Sequence, residues 1–82
     1  MQDKETVVFS VHNDEDRIIR EKLLTVYSAL AEKGYNPVNQ IVGYLLTEDP
    51  TYITTKNNAR SIMLSLDRDD ILQAMVRKFL IQ

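Results

Sequence analysis

The chain reads as an all-α protein: a compact bundle of about four helices behind an extended or flexible N-terminal arm, assembled as a homodimer. Three observations carry that reading. Apolar residues recur at intervals of three and four from Ile19 onward, the period of a helix with one buried stripe. Every glycine and proline (Gly34, Pro37, Gly43 and Pro50) lies between positions 34 and 50, so the long flanks carry no backbone breaker. Finally, 82 residues without cysteine and with a single histidine make one domain that cannot be stapled by disulfides or thiolate metal sites. A chain of that size buries only roughly 60% of the surface its unfolded form exposes, and a second copy is the remaining source of burial.

Taken in order, residues 1–12 form the arm. Val7, Phe9 and Val11 alternate with Val8, Ser10 and His12, a period of two that suits an extended segment. The helical domain, residues 13–82, opens at Asn13, an N-cap residue followed by Asp14, Glu15 and Asp16, whose charge favours the positive end of a helix dipole. A first helix over about 14–33 places Ile19, Leu23, Val26, Tyr27 and Leu30 on one stripe, widened by Ile18 and Leu24. The widening calls for two neighbours, one of them a second subunit. Gly34 follows as a left-handed cap.

Asn36 and Pro37 are a cap and a first-turn proline, opening a second helix over about 37–47 with Val38, Ile41, Val42 and Leu45 as its stripe. From Pro37 to Thr47 there is no charged residue, so this helix is expected to be buried on most sides. Gly43 within it costs about 1 kcal/mol relative to alanine, and the expected compensation is close approach of another backbone, within the subunit or across a dimer axis. Glu48, Asp49 and Pro50 end the helix, and residues 51–55 form a loop. Asn57 or Asn58 caps a short third helix carrying Ala59, Ile62, Met63 and Leu66. Asp67 with Asp70 forms a capping-box variant, opening a fourth helix with an apolar face of Ile71, Leu72, Met75, Val76, Phe79 and Leu80.

Composition and motifs exclude several classes of function. Net charge is −2, with ten basic against twelve acidic residues, and Arg17, Arg20 and Lys22 alternate with acids, so no basic face for phosphates is present. The expected partners therefore include no nucleic acid. A helix-turn-helix reading of the second and third helices founders on residues 58–66, which offer Arg60 and little else to a base edge. A start without a basic and apolar leader, and apolar runs far below the ~20 residues that span a bilayer, indicate a cytoplasmic chain with no membrane insertion. His12 lies without a partner, and Asp67, Asp69 and Asp70 lack the glycine and terminal glutamate of a calcium loop. With no phosphate loop, nucleophile elbow or metal-ligand pair, the expectation is a protein that is not an enzyme, with no catalytic residues, no metal and no cofactor. Thr6, in KETVVF, is a hydroxyl on an accessible arm. A phosphate there adds about −1.5 to −2 charges near Asp3, Glu5 and the 14–16 cluster.

The run Gly34-Tyr35-Asn36-Pro37-Val38-Asn39-Gln40-Ile41-Val42-Gly43-Tyr44 stands out, as do Asp49-Pro50, Tyr52-Ile53, Asn58-Ala59-Arg60, Arg68-Asp69-Asp70-Ile71, the Val76–Leu80 end and Thr6-x-x-Phe9. Together they closely resemble the IreB/ReoM family of low-GC Gram-positive bacteria over nearly the whole chain. The resemblance implies a small all-helical homodimer without enzymatic activity, a cytoplasmic substrate of the membrane PASTA-domain serine/threonine kinase. It further implies control of peptidoglycan synthesis and of resistance to cell-wall antibiotics, through Clp-protease degradation of a wall-precursor enzyme. By motif the modified residue is Thr6. The chain departs from the family pattern at Thr54-Thr55, where Pro-Arg is common, and in a third helix with less basic character. Lys56 and Arg60 remain of that basic face as candidate partner contacts. The competing reading is a constitutive dimeric adaptor or a DNA-associated helical module.

Overall fold

A computed structural model describes the backbone of residues 2–81 and the side chains of residues 14–81. Four α-helices, with no strand among the described residues, follow one another as α1 (Gln2–Glu32), α2 (Pro37–Thr47), α3 (Ala59–Leu64) and α4 (Arg68–Leu80), with 3₁₀ turns at Pro50–Tyr52 and Lys56–Asn58.

Helix α1 departs from expectation at its start. It begins at Gln2 and passes through Asn13, so residues 2–12 of the expected arm are helical and not extended, and Asn13 is not a cap. Between residues 1 and 33 there is neither glycine nor proline, and period-two patterning without strand partners is weaker than an unbroken helical ladder. Asp16 meets Arg77 of α4 instead of an open helix end. The far end of α1 follows the expected rule: Gly34 has φ +87°, Tyr35 donates its N–H to the carbonyl of Leu30 (3.0 Å) and Gly34 to that of Ala31 (3.0 Å). This is the paired closure of a glycine-capped helix.

Helix α2 starts as read, with the side chain of Asn36 accepting the N–H of Asn39 at 3.1 Å and Pro37 in the first turn. It ends at Glu48, whose left-handed backbone (φ 61°) lets its N–H reach Tyr44. Asp49 then caps the next turn by accepting the N–H of Thr51 at 3.0 Å and its hydroxyl at 2.7 Å. The third helix is shorter than its apolar pattern. Asn57 and Asn58 are both left-handed, and Asn58 makes no side-chain capping bond to α3. Asp67 caps α4 by accepting from Asp69 at 2.8 Å, so the bond falls on the nearer amide and not on Asp70.

The core lies between α1, α2, the 49–53 turn and α3. Val26, Ala29, Leu30, Ile53, Ala59, Met63 and Ile71 are fully buried, with Ile19, Ile41, Tyr44, Leu45 and Ala74 around them. Two polar ties hold the turn to its neighbours: Gln40 donates to the carbonyl of Tyr52 at 3.0 Å, and Arg60 Nε to that of Ile53 at 2.8 Å. At Gly43 the close neighbour is a side chain and not a backbone. A β-carbon there would lie 2.6 Å from Cδ1 of the Tyr52 ring, closer than atoms tolerate.

Candidate interaction site

The stripes that the sequence marks as apolar do not all face inward. On α1, Ile18, Leu24 and Tyr27 are about half exposed, and on α2 so are Val38 and Val42, with Leu46 at 77%. The uncharged helix α2 is therefore buried on one side only, through Ile41, Tyr44 and Leu45. The larger departure is α4. Of its six-residue apolar face only Ile71 is buried, joined by Ala74, while Leu72, Val76, Phe79 and Leu80 range from 43% to 88% exposed. An apolar set as wide as Ile71, Leu72, Met75, Val76, Phe79 and Leu80 exceeds what one stripe can bury. That width was the available signal that α4 has two sides to cover.

Several of these exposed residues, Leu24, Tyr27, Val38 and Val42, line one groove. The groove, of about 580 Å³, runs between α1, α2 and α4 and is lined by apolar residues that include Leu23, Ile41, Leu45 and Met75, together with Arg17, Arg20 and Lys78. A second, more open apolar hollow, formed by Met75, Val76, Phe79 and Leu80, adjoins it on α4. Contiguous apolar surface of this kind marks an interaction site.

The position of α4, which forms one bank of the groove, depends on two arginines. Arg68 donates to the carbonyl of Leu45 at 2.7 Å and pairs with Glu48, completing the end of α2. Arg77 forks onto Asp16, Nε to Oδ2 at 3.0 Å and Nη2 to Oδ1 at 2.7 Å, with both side chains under 20% exposed. Its hydrogen bond to Asp16 pushes the Arg77 pKa up from the ordinary guanidinium value, so this cation stays charged at any physiological pH. Neither tie is legible in the sequence, because the partners lie 23 and 61 positions away.

The sequence-predicted site residues are not gathered together. Thr6 belongs to α1, and its side chain lies outside the described residues. Lys56 is exposed and pairs with Glu32 at 3.6 Å. Arg60 is half-buried and spends its Nε on Ile53, so α3, six residues long, presents little for a base edge. Gly43 serves the internal contact with Tyr52. Among the described residues, no group of three His, Cys, Asp or Glu could hold a metal ion, and no helix is long and apolar enough to cross a membrane. The hydroxyl and then the backbone N–H of Thr51 hold the Asp49 pKa below the ordinary 3.8, which is a cap and not a catalytic acid.

Two comparisons with known proteins bear on this geometry. The family described as IreB regulatory phosphoprotein matches residues 4–81. A UPF0297 protein of Ruminiclostridium cellulolyticum is 50% identical over 76 residues, covering 93% of this chain and 86% of that protein. Another, from Acetivibrio thermocellus, is 49% identical over 80 residues, covering 98% and 89%.

Proposed function

The chain belongs to the IreB regulatory phosphoprotein family, and from that premise we propose that it is a non-enzymatic cytoplasmic regulator switched by phosphorylation of Thr6. In this reading a PASTA-type serine/threonine kinase modifies the 1–12 segment of a homodimer. The modified state then controls peptidoglycan synthesis and cell-wall antibiotic resistance, through Clp proteolysis of a wall-precursor enzyme. The family match over residues 4–81 is the observation that carries it, because that span contains Thr6 together with the helical body. Chemistry adds support. A phosphate at Thr6 places about two negative charges in a segment that already holds Asp3 and Glu5, a change large enough to alter how that segment docks. The apolar groove supports the homodimer, since a small chain gains most from covering such a surface. Lys56 and Arg60 serve as partner contacts in this scheme, Lys56 directly and Arg60 by holding the turn at Ile53.

Mass spectrometry after incubation with the kinase tests the proposal. Thr6 is the expected site, and modification confined to residues 14–81 sinks the switch. A Thr6→Ala chain is expected to keep its melting temperature while losing the modification. Affinity capture with unmodified and Thr6-phosphorylated protein then identifies which state binds the wall-precursor enzyme, and equal capture by both would argue against regulation at this position.

A further inference from the structure

The larger apolar stripe of α4 faces away from the subunit that carries it. The helix buries Ile71 and Ala74, while Leu72, Val76 and Phe79 stand 43%, 54% and 88% exposed. Burying a leucine, a valine and a phenylalanine removes more apolar surface from water than burying an isoleucine and an alanine. Hydrophobic burial alone therefore favours α4 turned the other way about its axis. Room for that turn exists, because the groove of about 580 Å³ lies beside α4 and is bordered by its Ala74, Met75 and Lys78. Something other than apolar burial sets the rotation of this helix.

The two arginines are placed to do so. A helix turns by about 100° per residue, so Arg68 and Arg77 project roughly 90° to either side of the line through Ile71 and Ala74. On one flank Arg68 donates to the carbonyl of Leu45 at 2.7 Å and pairs with Glu48. On the other, Arg77 forks onto Asp16, with both side chains under 20% exposed. A roll of α4 in either direction pulls both from their partners. A half-buried ion pair is a weak source of stability, since the loss of hydration offsets the attraction, and its best-attested use is to select one register among several. We propose that Arg68 and Arg77 are positioning residues that pin the rotation of α4, and that without them the helix rolls toward the groove and withdraws Leu72, Val76 and Phe79 from the surface. The pins keep on display an apolar face that burial by itself would hide. This goes beyond the regulatory reading, because it names what maintains the surface and not what uses it.

Thiol labelling of the full chain reads the rotation directly, because the chain contains no cysteine. Ala74→Cys places a single thiol on the inward side, at a position 7% exposed. When Arg68→Met and Arg77→Met are added, both keeping good helix formers, that thiol is expected to react at least about tenfold faster. Amide hydrogen exchange across residues 68–80, read by mass spectrometry on the same samples, is expected to stay slow, because the rolled helix is still packed. A helix that has merely come loose behaves differently. Thirteen residues on their own are marginal in water, so the amides would quicken together with the thiol, and that result overturns the proposal. Unchanged thiol reactivity overturns it too, and so does lost protection over residues 19–31, which would make the arginines general supports of the fold. Neither Thr6 nor the kinase enters this measurement, so the switch stands or falls by its own experiment.

Discussion

The turn at residues 49–53 and helix α4 are held in opposite ways. The turn is short and irregular, yet Ile53 is fully buried, its carbonyl is tied by Arg60, that of Tyr52 by Gln40, and the Tyr52 ring lies against Gly43. Helix α4 is long, regular and capped, yet most of its apolar side chains face out. Regularity reports on local backbone hydrogen bonding, whereas anchorage depends on how many apolar groups find neighbours. In this molecule the two are divided between different segments.

The contrast can be broken most forcefully at Ile53. Ile53→Ala opens a cavity where α1, α2 and α3 meet and is expected to cost about 3 to 4 kcal/mol, measured by urea denaturation. A cost below about 1 kcal/mol would mean that the turn is not anchored in the core. Neighbours on α2 sharpen the comparison. Ile41→Ala should cost about 2 to 3 kcal/mol at any concentration, because Ile41 is buried within the subunit. Val42→Ala should cost little in dilute solution and more as dimer forms, and a cost that ignores concentration would show that no second copy covers the groove.

Gly43 offers an intermediate effect. Alanine there regains about 1 kcal/mol of helix propensity but drives a methyl into the Tyr52 ring, and overpacking of this kind costs about 1 to 3 kcal/mol. Gly43→Ala is therefore expected to destabilise modestly, and to become neutral or stabilising when combined with Tyr52→Ala. A double-mutant cycle without coupling would remove Tyr52 as the reason for the glycine. The smallest expected effect is at Asp49. Its folded pKa is depressed by Thr51, so the cap's contribution is present above the ordinary value of 3.8 and lost as pH falls through the lower folded value. Thr51→Val should flatten the acid limb of the stability profile slightly, and an unchanged limb would deny the cap any part in it.

Much of the fold could be read one residue at a time. The helix stop at Gly34, the start at Asn36 and Pro37, the break at Glu48 to Pro50 and the cap at Asp67 each rest on the conformational preference of a residue and its immediate neighbours, and local preferences survive folding. The site was harder to read. Nothing periodic marks Ile53, because a residue in an irregular turn belongs to no stripe, and the Asp16–Arg77 and Arg68–Leu45 ties join positions that only folding brings together. The apparent arm shows the reverse limit: alternation at Val7, Phe9 and Val11 suggests a strand, but a strand requires a partner, and there is no strand among the described residues.

By itself, then, the amino-acid sequence determined that this is an all-helical chain, where most helices stop and start, and which family it belongs to. Tertiary structure decided which side of each apolar helix was spent on the subunit's own core. An 82-residue chain has too little interior to enclose every apolar stripe it carries. Which stripe goes inward is settled by the competition among them, and on α4 the outward stripe was the larger one.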